Sequence, residues 1–186
     1  MWYQQLYPKS FIMKVLPAFR LGLEWLRVPA FTLSMRVRAW LLRYHRLKEG
    51  SISFYASEHN ISLCRAALTI IRLADGDLFR SVAEARPMRF FYWPRKTALV
   101  AIGRTYSLGN EVFASGADSL AVILVIIHFA EIRVSQEKEA IFNVFRLREL
   151  LRDSTIEAVT WARLHGFRSE LVAAFDNWPI ANRTSQ

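Results

Sequence analysis

Between Asp118 and Glu131 the chain carries an apolar run, Leu120 to Ala130, in which His128 is the one polar side chain. A segment of that purity has to be covered on every side, because each of its apolar side chains gains by leaving water. A bilayer is one way to cover it, but spanning takes about 20 apolar residues, roughly twice what is present. The run therefore predicts a buried core helix or strand with other elements wrapped around it, and no transmembrane segment. His128 inside it is expected to be a hydrogen-bonded core histidine. The chain has 186 residues, 53% of them hydrophobic, enough to supply that wrapping and to exclude global disorder.

Charge is distributed unevenly. Residues 1–48 hold nine Lys and Arg against one acid, Glu24, and residues 86–110 hold five basic side chains and no acid. Residues 49–85 and 111–186 are each slightly acidic. Two basic blocks between balanced stretches suit a protein that grips a polyanion at two places, since neutralising phosphates takes local Lys and Arg density. The single cysteine, Cys64, forms no internal disulfide, which points to a reducing, cytoplasmic setting. Met1 is followed by aromatics and Gln, unlike a secretory leader. The basic, acid-poor N-terminal stretch also has the composition of a mitochondrial transit peptide or of an amphipathic helix lying on a surface.

Periodicity and punctuation predict a mainly α fold. Residues 10–28 read as a helix interrupted at Pro17. Residues 31–48 read as a second helix, with Leu33, Val37, Trp40, Leu41 and Tyr44 on one face, a basic exterior, and Gly50 as its cap. Residues 51–75 read as two short helices joined at His59-Asn60-Ile61, the second capped by Ser62 and ended by Asp75-Gly76. In that second helix Leu63, Ala67, Ile70 and Ala74 share a packing face, and Arg65, Thr69 and Arg72 share another. A short helix at 77–86 stops at Pro87. Residues 89–93 and 97–102 then read as a two-stranded hairpin around Pro94-Arg95-Lys96. Helices follow at about 115–133, 136–151, 155–165 and 168–176; Ser154 and Glu157 have the spacing of a capping box, and Gly166 stands at a helix end. The C-terminal helices are expected to form a bundle. The resulting division is 1–50, basic N-terminal helices; 51–110, helix pair and hairpin; and 111–186, a C-terminal helical region suited to dimerisation.

Helices, a tight turn at Asn60, a second helix with a basic face and then a hairpin with a basic tip form an order that resembles the winged helix-turn-helix class of DNA-binding domains. The resemblance covers residues 31–103 and rests on Ala56, the Asn60 turn, Ile61, Ala66 and Ile70. It implies that Ser62, Arg65, Thr69 and Arg72 face base edges or phosphates, and that the wing, with Arg95 and Lys96 at its tip, meets the phosphate backbone. Arg89 and Arg104 extend the basic surface of the hairpin. The rings Phe90, Phe91, Tyr92 and Trp93 interleave with these cations and could stack on bases, but alternation along a strand sends at least half of them into a core.

Enzyme signatures are sparse. His45, His59, His128 and His165 lie too far apart for helical metal-ligand spacing, and no Gly-rich phosphate loop or nucleophile elbow occurs. No metal and no cofactor are expected. Arg38 and His45, seven residues apart, resemble the Arg and His pair of HEPN-class ribonucleases, with Ala39 where a polar residue is usual. The leading expectation is a non-catalytic protein that binds duplex DNA, a regulator or an accessory factor in replication or DNA transfer. The alternatives are an RNA-binding structural subunit of a ribonucleoprotein or other large assembly, and a HEPN-like ribonuclease.

Overall fold

The computed structural model describes residues 33, 34, 36–41, 43–84, 87–92, 100–102, 116–137, 143–169 and 171–173. The chain divides into two units, Met1–Leu42 and Arg43–Gln186. In the first, residues 33, 34 and 36–41 are helical and are termed α1. The second contains, in order, β1 (His45–Glu49), β2 (Ile52–Ala56), α2 (Glu58–Ala74), α3 (Gly76–Glu84), β3 (Met88–Phe91), β4 (Val100–Ile102), α4 (Ala117–Gln136) and α5 (Val144–Leu164). Most described residues are helical, and the four strands form one small sheet in the order β1-β2-β3-β4.

β1 and β2 form a hairpin, where a helix over 31–48 and another from residue 51 were expected. The signal is a period of two: Leu47, Ile52, Phe54 and Ala56 point inward, while Arg46, Lys48, Ser53 and Tyr55 alternate with them. Gly50 is the hinge of this hairpin. Its φ of +54° lies in the left-handed region, and a Cβ there would sit 2.5 Å from the Ala83 carbonyl oxygen. That carbonyl accepts from the Ser51 amide at 2.9 Å and from Ser51 Oγ at 2.7 Å, so the turn is fastened to the end of α3. The α2–α3 crossover brings the chain back so that β3 pairs parallel with β2, and β3 pairs antiparallel with β4. The expected hairpin is therefore present in its strands; its tip, residues 93–99, lies outside the described residues.

α2 begins at Glu58 after Ser57 and runs unbroken through Asn60, whose side chain donates to Ser57 Oγ at 2.8 Å. The helix pair joined at Asn60 is thus replaced by a strand followed by one helix. Ser62 does not cap it but donates to the His59 carbonyl at 2.7 Å. α2 turns Cys64, Ala67, Leu68 and Ile71 into the core, with Leu63, Ile70 and Ala74 packed at its margin. Asp75 joins α2 to α3: its amide donates to the Ile71 carbonyl and its carboxylate accepts from the Leu78 amide at 2.8 Å. That bond, with a smaller contribution from Trp161 Nε1 at 3.3 Å, holds the Asp75 carboxyl below the usual carboxylate range.

α4 is the centre of the core. Its residues from Ser119 to His128 are all buried, as the apolar run requires, in a helix packed between α2 and α3 on one side and α5 on the other. α5 runs antiparallel to α4, because Arg133 pairs with Glu157 at 2.6 Å while Glu137 pairs with Arg146 at 2.6 Å. It is one helix where two were expected. Ser154 is buried and donates to the Leu150 carbonyl at 2.7 Å, and Thr155 does the same to Leu151, so both hydroxyls return to the preceding turn instead of starting a new helix. The true start is Asn143, whose side chain accepts from the amides of Phe145 and Arg146. Gly166, at φ +72°, ends the segment, with Phe167 N donating to the Ala162 carbonyl as in a Schellman motif. Residues 52–92 and 120–172 contribute to one shared core, so the expected boundary near residue 110 separates no core from another. The expected helix at 10–28 lies outside the described residues; of the one at 168–176, residues 168 and 169 are not helical and 171–173 are.

His128 is buried, but its Nδ1 has no hydrogen-bond partner among the described residues, which corrects the expectation of a satisfied core histidine. Burial lowers its pKa, so the fold holds it neutral, whereas the unfolded chain takes up a proton below about 6.5. Stability should accordingly fall as pH drops below that value, by up to about 1.4 kcal/mol per pH unit until the folded-state pKa is passed. Urea melts of the wild type and His128→Leu between neutral and mildly acidic pH check this: the variant should lose the step. Gly50→Ala should lower stability by about 2 kcal/mol or more, read as a fall in urea midpoint, because it adds left-handed strain to the contact with the Ala83 carbonyl.

Candidate nucleic-acid interface

The outer ridge of α2 is formed by Ser62, Ala66, Thr69 and Leu73, all exposed, with Arg65 and Arg72 along one border. The helical period puts these opposite Cys64, Leu68 and Ile71. The two arginines differ. Arg72 donates to Glu49 Oε1 at 2.7 Å, and its guanidinium lies 4.3 Å from the Phe79 ring centroid, so it ties α2 to β1 and to α3. Arg65 is exposed and meets no carboxylate among the described residues. Thr69 Oγ1 donates to the Arg65 carbonyl at 3.0 Å and Ser62 Oγ to that of His59, so neither hydroxyl proton is available to a phosphate without breaking a bond inside the helix.

The sheet has two unlike faces. Ile52, Phe54, Met88 and Phe90 point to the side that α2 covers, with Phe54 and Phe90 stacked at 5.2 Å. On the opposite face a cross-strand row runs Lys48, Ser53, Arg89 by register. Lys48 and Arg89 flank Ser53 from the two neighbouring strands, so their backbones are about 10 Å apart. Arg46, two residues from Lys48, donates to Ser53 Oγ at 3.1 Å and sits 5.9 Å from the centroid of Tyr55. Lys48 and Arg89 are exposed and, like Arg46, meet no carboxylate among the described residues. Tyr55 stacks on Phe91 at 4.8 Å, and Phe91 is itself buried.

The sequence-derived site therefore does not form one surface. Ser62, Arg65, Thr69 and Arg72 lie on α2, and Arg89 lies on the sheet face turned away from it. Arg95, Lys96 and Arg104 lie outside the described residues. Phe90, Phe91 and Tyr92 are core residues, and Trp93 is outside the described set. Arg38 is on α1 while His45 opens β1, so the pair that resembles the HEPN motif does not share a helix. Lys48 and Arg46 were missed as site residues because they read as the exterior of a helix; their signal was the alternation around Leu47.

Several cations of the helices are paired, whereas Arg148 and Arg168, both exposed, meet no carboxylate among the described residues. Arg133 pairs with Glu157, Arg146 with Glu137 and Glu149, and Arg80 with Asp77. Arg146, engaging both oxygens of Glu137, is the main cause of that carboxyl's lowered pKa. Burial pushes the Cys64 thiol up to about 12, which leaves it protonated and unreactive. Among the described residues no three His, Cys, Asp or Glu side chains converge as a metal site would require. No described helix is long and apolar enough to cross a membrane. No family model matches the chain, and neither the curated proteins nor the solved structures include a match.

The unequal ties of the two arginines on α2 have a measurable consequence. Arg72→Ala should cost about 1 kcal/mol, from a screened ion pair and a cation–π contact. Arg65→Ala should stay within about 0.5 kcal/mol of the wild type in the same urea melts.

Proposed function

We propose that the protein binds duplex DNA through its phosphate backbone, without a catalytic step, and that the Arg46, Lys48 and Arg89 cluster on the outer sheet face makes the central contact. The observation that carries this reading is the grouping of these three cations around Ser53 on one sheet face, where none of them meets a carboxylate among the described residues, while Arg133 and Arg146 of the helices are paired. Cations that no carboxylate offsets retain their attraction for phosphates, and the counterions they displace from DNA supply affinity. Burial of Phe90, Phe91 and Tyr92 favours a duplex over a single strand, because these rings are closed to base stacking. Arg65 on α2 is a secondary contact, and docking through a helix pair is not part of this reading.

Salt titrations of binding to duplex DNA, single-stranded DNA and RNA test it. Duplex should bind best, and Lys48→Ala with Arg89→Ala should weaken binding equally across sequences while reducing the salt slope by about two. An unchanged slope in that double variant, a larger loss from Arg65→Ala alone, or a preference for RNA would each refute the assignment.

A further inference from the structure

α1 presents an apolar stripe that nothing in the second unit's chemistry accounts for. Leu33, Val37, Trp40 and Leu41 fall within about 100° of the helix circumference and are 63%, 45%, 78% and 63% exposed. Arg36 borders the stripe on one side and Arg38 on the other, both exposed. From Trp25 to Lys48 the sequence contains no acidic residue.

We infer that α1 seats on an anionic lipid surface, with the Leu33, Val37, Trp40 and Leu41 stripe entering the headgroup boundary and the flanking arginines remaining among the lipid phosphates. A narrow apolar face, a Trp at its centre and cations at its edges are what an interfacial helix needs: the ring is amphipathic and suited to headgroup depth, and the arginines add attraction to anionic lipid. Nucleic acid fits this surface poorly, since phosphates satisfy the arginines but leave the stripe in water. A second copy fits poorly too, because a two-fold pairing of stripes sets the arginines of one copy near those of the other. The inference is independent of the sheet-face contact proposed for DNA.

Sedimentation of the full chain with vesicles tests it, using phosphatidylglycerol mixed with phosphatidylcholine against phosphatidylcholine alone. The wild type should bind the mixed vesicles strongly and the neutral ones weakly. Trp40→Ala with Leu41→Ala should lower mixed-vesicle binding about tenfold or more, and Arg36→Gln alone about fivefold. Both variants alter exposed side chains, so their melting should match the wild type. Three results would overturn the inference: no binding to mixed vesicles, salt-sensitive binding that the apolar variant leaves unchanged and that is therefore adsorption by net charge, or a dimer in solution that the apolar variant converts to monomer.

Discussion

Burying α4 on all sides is the constraint on which the second unit depends. Its side chains from Leu120 to Ile127 leave water almost completely, and each such Leu, Ile or Val contributes about 1.5 to 3 kcal/mol relative to exposure. No single neighbour can cover a helix that is apolar around its whole circumference. α2 and α3 therefore form one wall and α5 the other. The length of α5 follows: an unbroken stripe of Leu150, Ala158, Val159 and Ala162 lies against α4, and a break at Ser154 would have opened that wall. His128 is a cost inside this arrangement, a buried ring nitrogen without a hydrogen-bond partner among the described residues.

The polar ties are placed where the walls meet. Asp75 caps α3 and also accepts from Trp161 of α5, and Arg146 bridges the end of α4 to the start of α5. Arg72 holds α2 against both β1 and α3. One sheet face sends Ile52, Phe54, Met88 and Phe90 into the core, and the other carries Arg46, Lys48 and Arg89, which meet no carboxylate among the described residues, beside the buried Ser53 and Phe91. Strand alternation places Arg46, Lys48 and Arg89 on the face turned away from α2, while Glu137 and Glu157 are taken by pairs between α4 and α5.

Some of this was legible along the chain. The apolar run marked a central helix, Pro87 and Gly166 marked helix ends, and the change of period after Pro87 marked the β3–β4 hairpin. The β1–β2 hairpin was not, because Leu47 is the one apolar residue among five and the arginines around it fit a helix exterior equally well. Asn60 works in the opposite direction: its tolerance of a left-handed turn predicts a break, yet it sits inside α2 with its side chain bonded to Ser57.

Composition and pattern alone determined that a helix of this apolarity had to be enclosed, that the basic residues cluster early and around residue 90, and that the lone cysteine pairs with nothing inside the chain. Those are local or summed properties, set before any two distant residues meet. Tertiary structure decided which cations stay open, because neutralisation depends on whether a carboxylate from another element comes within reach. It also decided that Arg65 and Arg89 point to different surfaces, since a sheet has two sides and only packing chooses the one a helix covers.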